Sequence, residues 1–491
     1  MALQIYDTLT KQKRPFETLE EGKVKMYVCG PTVYDYLHIG NFRGAIFFNM
    51  VRNWLEKSGY RVTYVYNYTD VDDKIIKRAN DEGVESSVIS EKYIQAFEED
   101  YDRLGLRPHT KNPRVTEVMP QIVSYVEQLV ENKKAYVVDG EVFYSIDSFP
   151  TYGKLSGKKL EDLNAGERVD VDQRKQNPLD FVLWKPSKPG EPSWDSPWGK
   201  GRPGWHIECS AMIKEFLGET IDIHGGGIDL IFPHHENEIA QGEGCCEKTY
   251  CNYWMHNEFI NLKNQKMSKS LGNVITARNF MDQYHPEVLK AVMLSGHYRT
   301  MFNVNEEKIN LAISGLVRVY SSLRDADKIL SREGEDNGSI GDKPLPNIEK
   351  LAGELDKKIQ TAMDDDFNTQ EVFAALFEMV RAFNATNLIR KQKHAQAKPT
   401  AHFFKNWLCG WGGLLAVYQQ NPTELLSELN DILVRERGIE TAKVEELIAQ
   451  RNQARTDKDW AKADAARDEL DAIGIEISDG TEGTTWSVKI T

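Results

Sequence analysis

The sequence is poor in cysteine, lacks long apolar runs and carries no excess of basic residues, and each of these features excludes a class of protein. Only six of its 491 residues are cysteine, at irregular spacing, which is too few for the disulfide framework of a secreted domain. It has no long apolar run and no signal-peptide pattern near the N-terminus, so we expect a cytoplasmic protein without a membrane partner. Acidic residues outnumber basic ones by 75 to 61, and the net charge of −14 disfavours nonspecific coating of nucleic acid. Any RNA binding must use local basic patches and shape.

One short segment carries two ammonium groups and two hydroxyl groups together. It is residues 266–270, with the sequence KMSKS. Lysine ammonium groups donate strongly to phosphate oxygens, and a loop can close on a bound phosphate. A KxxK pattern alone is typical of a solvated surface. The segment therefore indicates phosphate binding only if the chain also contains a second phosphate-binding motif. With such a motif, we expect Lys266 and Lys269 to hold a polyanion while its charge rearranges.

The second motif lies near the N-terminus, between two predicted strands. Apolar residues at 24–29 predict a buried strand, helical spacing follows over 42–55, and residues 62–66 predict another strand. Three residues lie at the predicted helix start: His38, Gly40 and Asn41. In such a βαβ unit, the free N–H groups and the dipole of the helix start attract phosphate.

The two motifs together resemble the HIGH and KMSKS signatures of the class I aminoacyl-tRNA synthetases, which activate an amino acid with ATP and transfer it to tRNA. The resemblance implies an α/β fold with a Rossmann-like, doubly wound parallel sheet. It also implies that His38, Lys266 and Lys269, with Mg²⁺ on the ATP, stabilise charge at the reacting phosphate. The fourth position of the HIGH motif is Asn41, whose amide can donate a hydrogen bond to phosphate but cannot donate a proton.

A glycine-rich segment follows a third predicted strand, residues 220–223. Glycines such as Gly226 let a nucleoside approach the backbone, and Asp229 can accept hydrogen bonds from ribose hydroxyls. On the helix predicted next, His234 and Glu238 stand at i and i+4, so both point to one side. One imidazole and one carboxylate at this spacing can bind a single metal ion.

Two cysteines can complete a metal site. Cys29 ends the first strand, at the sheet edge where α/β folds bind ligands, and Cys209 lies just ahead of an apolar-periodic helix. Two thiolates, an imidazole and a carboxylate suit zinc. With this set the resemblance narrows to the cysteinyl-tRNA synthetase family, bacterial type, and covers essentially the whole chain. It implies one Zn²⁺ per chain on four ligands: Cys29, Cys209, His234 and Glu238. His235 and Glu236 are the neighbours most easily confused with ligands.

Zinc offers such an enzyme a way to distinguish cysteine from serine. An apolar pocket separates close analogues poorly, whereas zinc bonds a thiolate far better than a hydroxyl and lowers the pKa of the thiol. The resemblance implies that four side chains contact L-cysteine: Tyr27, Thr69, Trp205 and His224. We also expect His206, His224 and His256 to cluster near the metal.

The remaining length is expected to form further domains. Residues 1–305 are expected to be the catalytic nucleotide-binding domain, with an acceptor-binding (CP1-like) insertion at about 97–202. Long amphipathic patterns predict an α-helical bundle that contacts the tRNA stem over 306–420. Residues 421–491 resemble the small α+β anticodon-binding domain of the family. The resemblance implies a monomer that takes L-cysteine, ATP and tRNA(Cys).

Two other functions stay open. Cysteine ligases of mycothiol biosynthesis use the same zinc and ATP site, but they attach cysteine to an aminosugar and lack a full anticodon domain. A nonenzymatic RNA-binding relative would have lost metal ligands or a signature lysine. The anticodon-like segment and the retained residues favour the tRNA ligase.

Overall fold

The computed structural model describes residues 2–159, 172–262, 265–266, 274–332, 343–391, 393–480 and 483–489. Its strands, in chain order, are β1 (Gln4–Asp7), β2 (Gln12–Pro15), β3 (Lys23–Val28), β4 (Arg61–Tyr66), β5 (Ala135–Val138), β6 (Glu141–Tyr144), β7 (Phe181–Pro186), β8 (Gly201–Pro203), β9 (Ile221–Gly227), β10 (Cys251–Asn257), β11 (Ile260–Leu262), β12 (Gln265–Lys266), β13 (Phe302–Val304), β14 (Ile475–Gly480) and β15 (Gly483–Val488).

The helices of the catalytic region are α1 (Ile39–Lys57), α2 (Asp73–Glu82), α3 (Ser86–Arg103), α4 (Met119–Glu131), α5 (Trp205–Phe216), α6 (Glu236–Cys246), α7 (Ala277–Tyr284) and α8 (Pro286–Leu294). Those that follow are α9 (Glu306–Leu330), α10 (Pro346–Asp364), α11 (Thr369–Ala385), α12 (Ala397–Leu414), α13 (Pro422–Arg437), α14 (Thr441–Thr456) and α15 (Trp460–Ala472). None of these described helices combines the length and hydropathy that a bilayer span requires.

Four of the described strands form a parallel sheet in the order β10-β9-β3-β4. Successive side chains of β3 enter different cores, because strand side chains alternate between faces: Met26 packs with α1, and Tyr27 packs with α4 and α5. The predicted Rossmann-like fold is confirmed. Strand β9 runs beyond its predicted end at Ile223 as far as Gly227. The carboxyl ends of parallel strands share one edge, and the candidate site lies there.

Between β4 and β9 the chain builds a separate antiparallel sheet in the order β5-β6-β7-β8. Residues 185–205 are rich in proline, glycine and tryptophan, a composition typical of loops, but strands lie near both ends, where Lys185 in β7 pairs with Arg202 in β8. Both of these side chains also form ion pairs with Asp73 at the start of α2. These two ion pairs therefore connect the insertion to the catalytic region.

The predicted helical bundle is confirmed, with α9 packed against α12 and α10 against α11. Helix α13 also packs against α9. Helix α13 was not predicted, although its start and stop signals are present. The Asn421 side chain accepts from the N–H groups of Thr423 and Glu424, and Gly438 ends the helix in the left-handed conformation. The antiparallel pair β14 and β15, with α14 and α15, completes the small α+β region at the end of the chain.

Candidate active site and metal centre

The start of α1 forms one wall of the site. His38 is the N-cap residue, and its Nδ1 accepts from the N–H of Asn41 at 3.3 Å. In return, Oδ1 of Asn41 accepts from the N–H of His38 at 3.1 Å. This reciprocal pair holds both side chains at the helix start. The prediction that His38 and Asn41 lie there is confirmed, and Asn41 also has a capping role that the sequence pattern had not indicated.

A cleft of about 420 Å³ lies over this helix start and the carboxyl ends of β3 and β9. Its volume suits a small-molecule site. Predicted site residues that line it are Cys29, His38, Gly40, Asn41, Trp205, Gly226 and Asp229. At Gly226 a side chain is excluded, because a Cβ would lie 2.8 Å from Cε1 of His235 and 2.9 Å from Cδ1 of Leu230.

Of the two signature lysines, the structure describes the backbone of Lys266. Lys266 ends β12, whose backbone pairs with β11 so that Asn261 lies opposite Lys266. Strand β11 also pairs with β13, which anchors the chain just before the KMSKS segment. Lys269 lies outside the described residues. The roles of both lysines stay predictions.

Four donor side chains meet beside the cleft, and they come from the end of β3, from α5 and from either side of the start of α6. The ligand atoms of Cys29, Cys209, His234 and Glu238 all lie within 4.8 Å of one another. The two sulfurs are 3.9 Å apart, and Nε2 of His234 lies 3.5 Å from Sγ of Cys209 and 3.0 Å from Oε1 of Glu238. Two sulfurs, one nitrogen and one oxygen thus converge on a space that one ion can fill, which fits zinc.

A second donor set overlaps the first. It shares Cys29 and Glu238 but takes His224 and His235 in place of Cys209 and His234. Nε2 of His235 lies 3.3 Å from Sγ of Cys29. His235 is therefore an alternative candidate ligand, as the sequence indicated. The first set has two sulfurs and is chemically the better zinc site.

The donor groups of the first set shift one another's pKa values. A hydrogen bond from Cys29 lowers the pKa of Cys209 to about 6, whereas burial raises the pKa of Cys29 well above its usual value. Burial opposes protonation of His234, but the neighbouring Cys209 and Glu238 outweigh it and raise its pKa to about 10. The protein alone thus stabilises one thiolate, and a bound dication would favour two.

Buried partners hold the donor residues in place. Nδ1 of His206 lies 2.9 Å from Nδ1 of His234, which directs the other nitrogen of His234 to the cluster. Oε2 of Glu238 lies 2.9 Å from Nε2 of His224 and accepts from the Tyr250 hydroxyl at 3.0 Å, which leaves Oε1 facing the sulfurs and His234. Tyr250 was not predicted, since nothing in its local sequence marks it.

The third predicted histidine also lies in the cluster. Nε2 of His256 is 2.8 Å from Nδ1 of His235. Burial lowers the pKa of His256 to about 3 and lowers that of His235 well below its usual value, so both rings are neutral. All three predicted histidines therefore contact a residue of one of the two donor sets.

The residues predicted to contact cysteine lie at different depths. Trp205 is 41% exposed, and its ring centre is 4.4 Å from that of His234. Tyr27 and Thr69 are buried behind the cleft, and the Thr69 hydroxyl donates to Glu208 at 3.2 Å. His224 is buried beside the donor set. Their contacts with cysteine stay predictions.

The family model for the class I (C) tRNA synthetase catalytic domain matches residues 15–314, so the parallel sheet and the cleft at its strand ends belong to a class I aminoacyl-tRNA synthetase. Solved structures share the fold: Mycobacterium tuberculosis methionyl-tRNA synthetase in complex with methionyl-adenylate has a TM-score of 0.59 at 13% identity and covers 82% of this chain and 93% of its own. A putative arginyl-tRNA synthetase from Campylobacter jejuni has a TM-score of 0.53 at 12% identity, over 83% of this chain and 95% of its own.

Sequence relatives identify the family. Family models match three segments: the class I (C) tRNA synthetase catalytic domain at 15–314, a DALR domain at 358–415 and the cysteinyl-tRNA ligase anticodon binding domain at 440–486. The chain is 51% identical over 486 residues to the cysteine–tRNA ligase of Bdellovibrio bacteriovorus, covering 99% of each chain. It is 46% identical over 492 residues to that of Geobacter sulfurreducens, covering 100% of each. The chain belongs to the cysteine–tRNA ligase family, and the predicted function is confirmed.

Proposed function

We propose that this ligase is zinc-dependent, with one Zn²⁺ on Cys29, Cys209, His234 and Glu238, and that the adjoining cleft forms cysteinyl-adenylate. The observation that carries the proposal is the position of Cys29. This residue lines the cleft, and its sulfur also belongs to the donor set. A thiol bound at the metal would therefore reach the nucleotide cleft directly.

The donor residues are arranged to present defined atoms to the ion. His206 directs Nε2 of His234 toward the cluster, and Tyr250 and His224 occupy the other oxygen of Glu238. When bound, Zn²⁺ would supply a site that prefers a thiolate to a hydroxyl and so separates cysteine from serine. We propose that Trp205 walls the cysteine side chain at the open side of this site.

The cleft residues are proposed to bring ATP to the bound cysteine. The start of α1, with His38, Gly40 and Asn41, faces the phosphates, while Gly226 and Asp229 receive the nucleoside. Lys266 and Lys269, with Mg²⁺ on the ATP, would neutralise the developing charge. The cysteine carboxylate attacks the α-phosphorus and pyrophosphate leaves. The terminal ribose hydroxyl of tRNA(Cys) then attacks the adenylate carbonyl.

We further propose the predicted domain division and a monomer that works in the cytoplasm, where ATP and tRNA are found. The matches at 358–415 and 440–486 fall within the proposed domains 306–420 and 421–491, and the match at 15–314 runs slightly past the proposed boundary at 305.

Zinc analysis combined with separate binding assays for cysteine and ATP tests the metal assignment. We expect one zinc per chain, lost in Cys209→Ser and in His234→Ala together with cysteine binding, while ATP binding persists. Cys251→Ser is the matched control, since Cys251 is also buried but its sulfur contacts backbone oxygens of Asp222 and Tyr253. Retention of zinc in both ligand variants would overturn the assignment, and equal loss of cysteine and ATP binding would overturn the separation of the two sites.

The reaction itself is tested by pyrophosphate exchange with cysteine and ATP, followed by addition of tRNA(Cys) or an aminosugar. Exchange followed by transfer to tRNA(Cys) supports the proposal. Exchange followed by transfer to the aminosugar alone contradicts it.

A further inference from the structure

A line of hydrogen bonds leads from the metal cluster to the N-terminal hairpin. Sγ of Cys29 lies 3.3 Å from Nε2 of His235, and Nδ1 of His235 lies 2.8 Å from Nε2 of His256. Nδ1 of His256 lies 2.8 Å from Oγ1 of Thr8. Thr8 is half-buried in the turn between β1 and β2, far from the cluster in sequence.

The backbone around Thr8 fixes its position. The N–H of Thr8 donates to the carbonyl oxygen of Trp254 at 2.9 Å, and the N–H of Trp254 donates to Oδ1 of Asp7 at 3.0 Å. The Asp7 carboxylate also accepts from the N–H groups of Leu9 and Thr10, each at 3.2 Å. The turn is therefore docked on β10, and the hydroxyl of Thr8 is held beside His256.

Which group donates in each of these hydrogen bonds follows from the donors and acceptors that each side chain has. A thiolate can only accept, so a neutral His235 must carry its proton on Nε2 to donate to Cys29. Nδ1 of His235 then accepts from Nε2–H of His256, and Nδ1 of His256 must accept as well. A hydroxyl is able to donate there, and Thr8 provides one.

We propose that Thr8 is a positioning residue for the metal centre, whose hydroxyl donates to His256 so that His235 gives its N–H to the Cys29 thiolate. The inference rests on the proposed assignment of Cys29 as a zinc ligand. Without the hydroxyl, either the nitrogen of His256 is left unpaired in the interior or both rings reverse. Reversed rings would turn a lone pair of His235 toward the thiolate. In both outcomes the arrangement in which His235 donates to the Cys29 thiolate loses stability, and the metal site with it.

Three variants separate the hydroxyl from the rest of the turn. Thr8→Val removes the hydroxyl at similar volume, Thr8→Ser keeps it, and Thr10→Val changes an exposed threonine of the same turn. The first measurement is the rate of zinc release to a chromogenic chelator. Loss of a hydrogen-bond partner of a metal ligand costs about 10–100-fold in affinity. Because Thr8 acts through two rings, we expect release about tenfold faster in Thr8→Val and a wild-type rate in the other two variants.

The second measurement is spectroscopic. In the Co²⁺-substituted chain, the sulfur-to-metal absorption band should shift in Thr8→Val and return to its wild-type position in Thr8→Ser. The KM for cysteine should rise in Thr8→Val while the KM for ATP stays unchanged.

Each result has a defined meaning. Wild-type zinc release and an unshifted band in Thr8→Val would overturn the inference, as would a Thr8→Ser variant that behaves like Thr8→Val. A lower melting temperature of metal-free Thr8→Val, together with wild-type zinc release and an unshifted band, would assign the residue to hairpin stability and also overturn the inference. Absence of zinc from the wild-type chain would instead overturn the proposed metal site.

Discussion

Arg43 joins α1 to two other segments of the catalytic region. It lies on α1 and is only 2% exposed. Its Nη1 donates to the carbonyl oxygens of Glu258 and Phe259 at 2.8 and 2.9 Å. Its Nη2 donates to the carbonyl oxygens of His297 and Thr300 at 3.0 and 2.8 Å. One guanidinium therefore binds four backbone oxygens from two separate segments.

These two segments lead directly into paired strands. Phe259 precedes β11 and Thr300 lies just before β13, and these strands are neighbours in one sheet. Strand β11 in turn pairs with β12, which ends at Lys266. Arg43 thus fixes the backbone that carries Lys266 relative to the helix start that carries His38.

The change Arg43→Lys keeps the positive charge but loses the planar fork. An ammonium has three donors on one nitrogen, which cannot span both carbonyl pairs, so we expect two oxygens to lose their partner. Each unsatisfied acceptor costs about 1–3 kcal/mol, and the lower end applies because these carbonyls are only part-buried. The two unpaired oxygens together cost about 2–3 kcal/mol. When this whole amount is added to the activation free energy, adenylate formation slows by about 30- to 150-fold.

Pyrophosphate exchange at saturating cysteine and varied ATP measures this effect. We expect kcat/KM for ATP to fall, while zinc content and the KM for cysteine stay at wild-type values. Arg52→Lys is the matched control, since Arg52 is buried on the same helix and donates to the carbonyl oxygens of Arg107 and Pro108. If Arg52→Lys lowers kcat/KM for ATP as much as Arg43→Lys does, the loss reflects general stability and the reasoning is refuted.

Two further predictions concern stability. Burial lowers the pKa of His109 to about 3, so below about pH 6.5 only the unfolded chain takes up this proton. This residue should therefore lower the free energy of unfolding by about 1.4 kcal/mol per pH unit from pH 6.5 toward 3. In His109→Phe this contribution should be absent when urea unfolding at pH 7 is compared with that at pH 5. A difference between the two pH values as large as that of the wild-type chain contradicts the prediction. Asp366 is buried and accepts from the Tyr298 hydroxyl at 2.7 Å and from Nε of Arg299 at 2.8 Å, so Asp366→Asn should cost roughly 2–4 kcal/mol in urea unfolding. The same change at the exposed Asp365 should cost little, and equal losses would contradict the reasoning.

Features with strong local signals were predictable from the sequence. The βαβ unit around α1 follows from apolar periodicity, and the pair His234 and Glu238 follows from i, i+4 spacing, which the structure confirms at 3.0 Å. The missed helix α13 had such signals too, in Asn421 and Gly438.

Residues that act from far along the chain were not predictable. Thr8 reaches His256, 248 residues further on, only because the N-terminal hairpin docks on β10. Tyr250 is only 12 residues from Glu238, in the turn between α6 and β10, but no local pattern marks its hydroxyl as a partner. The i, i+4 spacing favoured His234 over His235, but the position of the two rings in the structure leaves both as candidates. Both rings lie buried in the short turn before α6, and each nitrogen that faces the cluster is close to a cysteine sulfur.

The place of Cys29 explains why amino acid selection and activation share one site in the proposed enzyme. Its N–H donates to the carbonyl oxygen of Gly225 at 3.1 Å, so the backbone is fixed between β3 and β9 just where the cleft opens. A substrate thiol at the proposed metal site would lie beside Cys29, and the substrate carboxylate would then lie over the helix start that is proposed to receive ATP. Serine would fit the same cleft but would bring a poor metal ligand. Discrimination would therefore come before adenylate formation, so a separate editing domain becomes unnecessary.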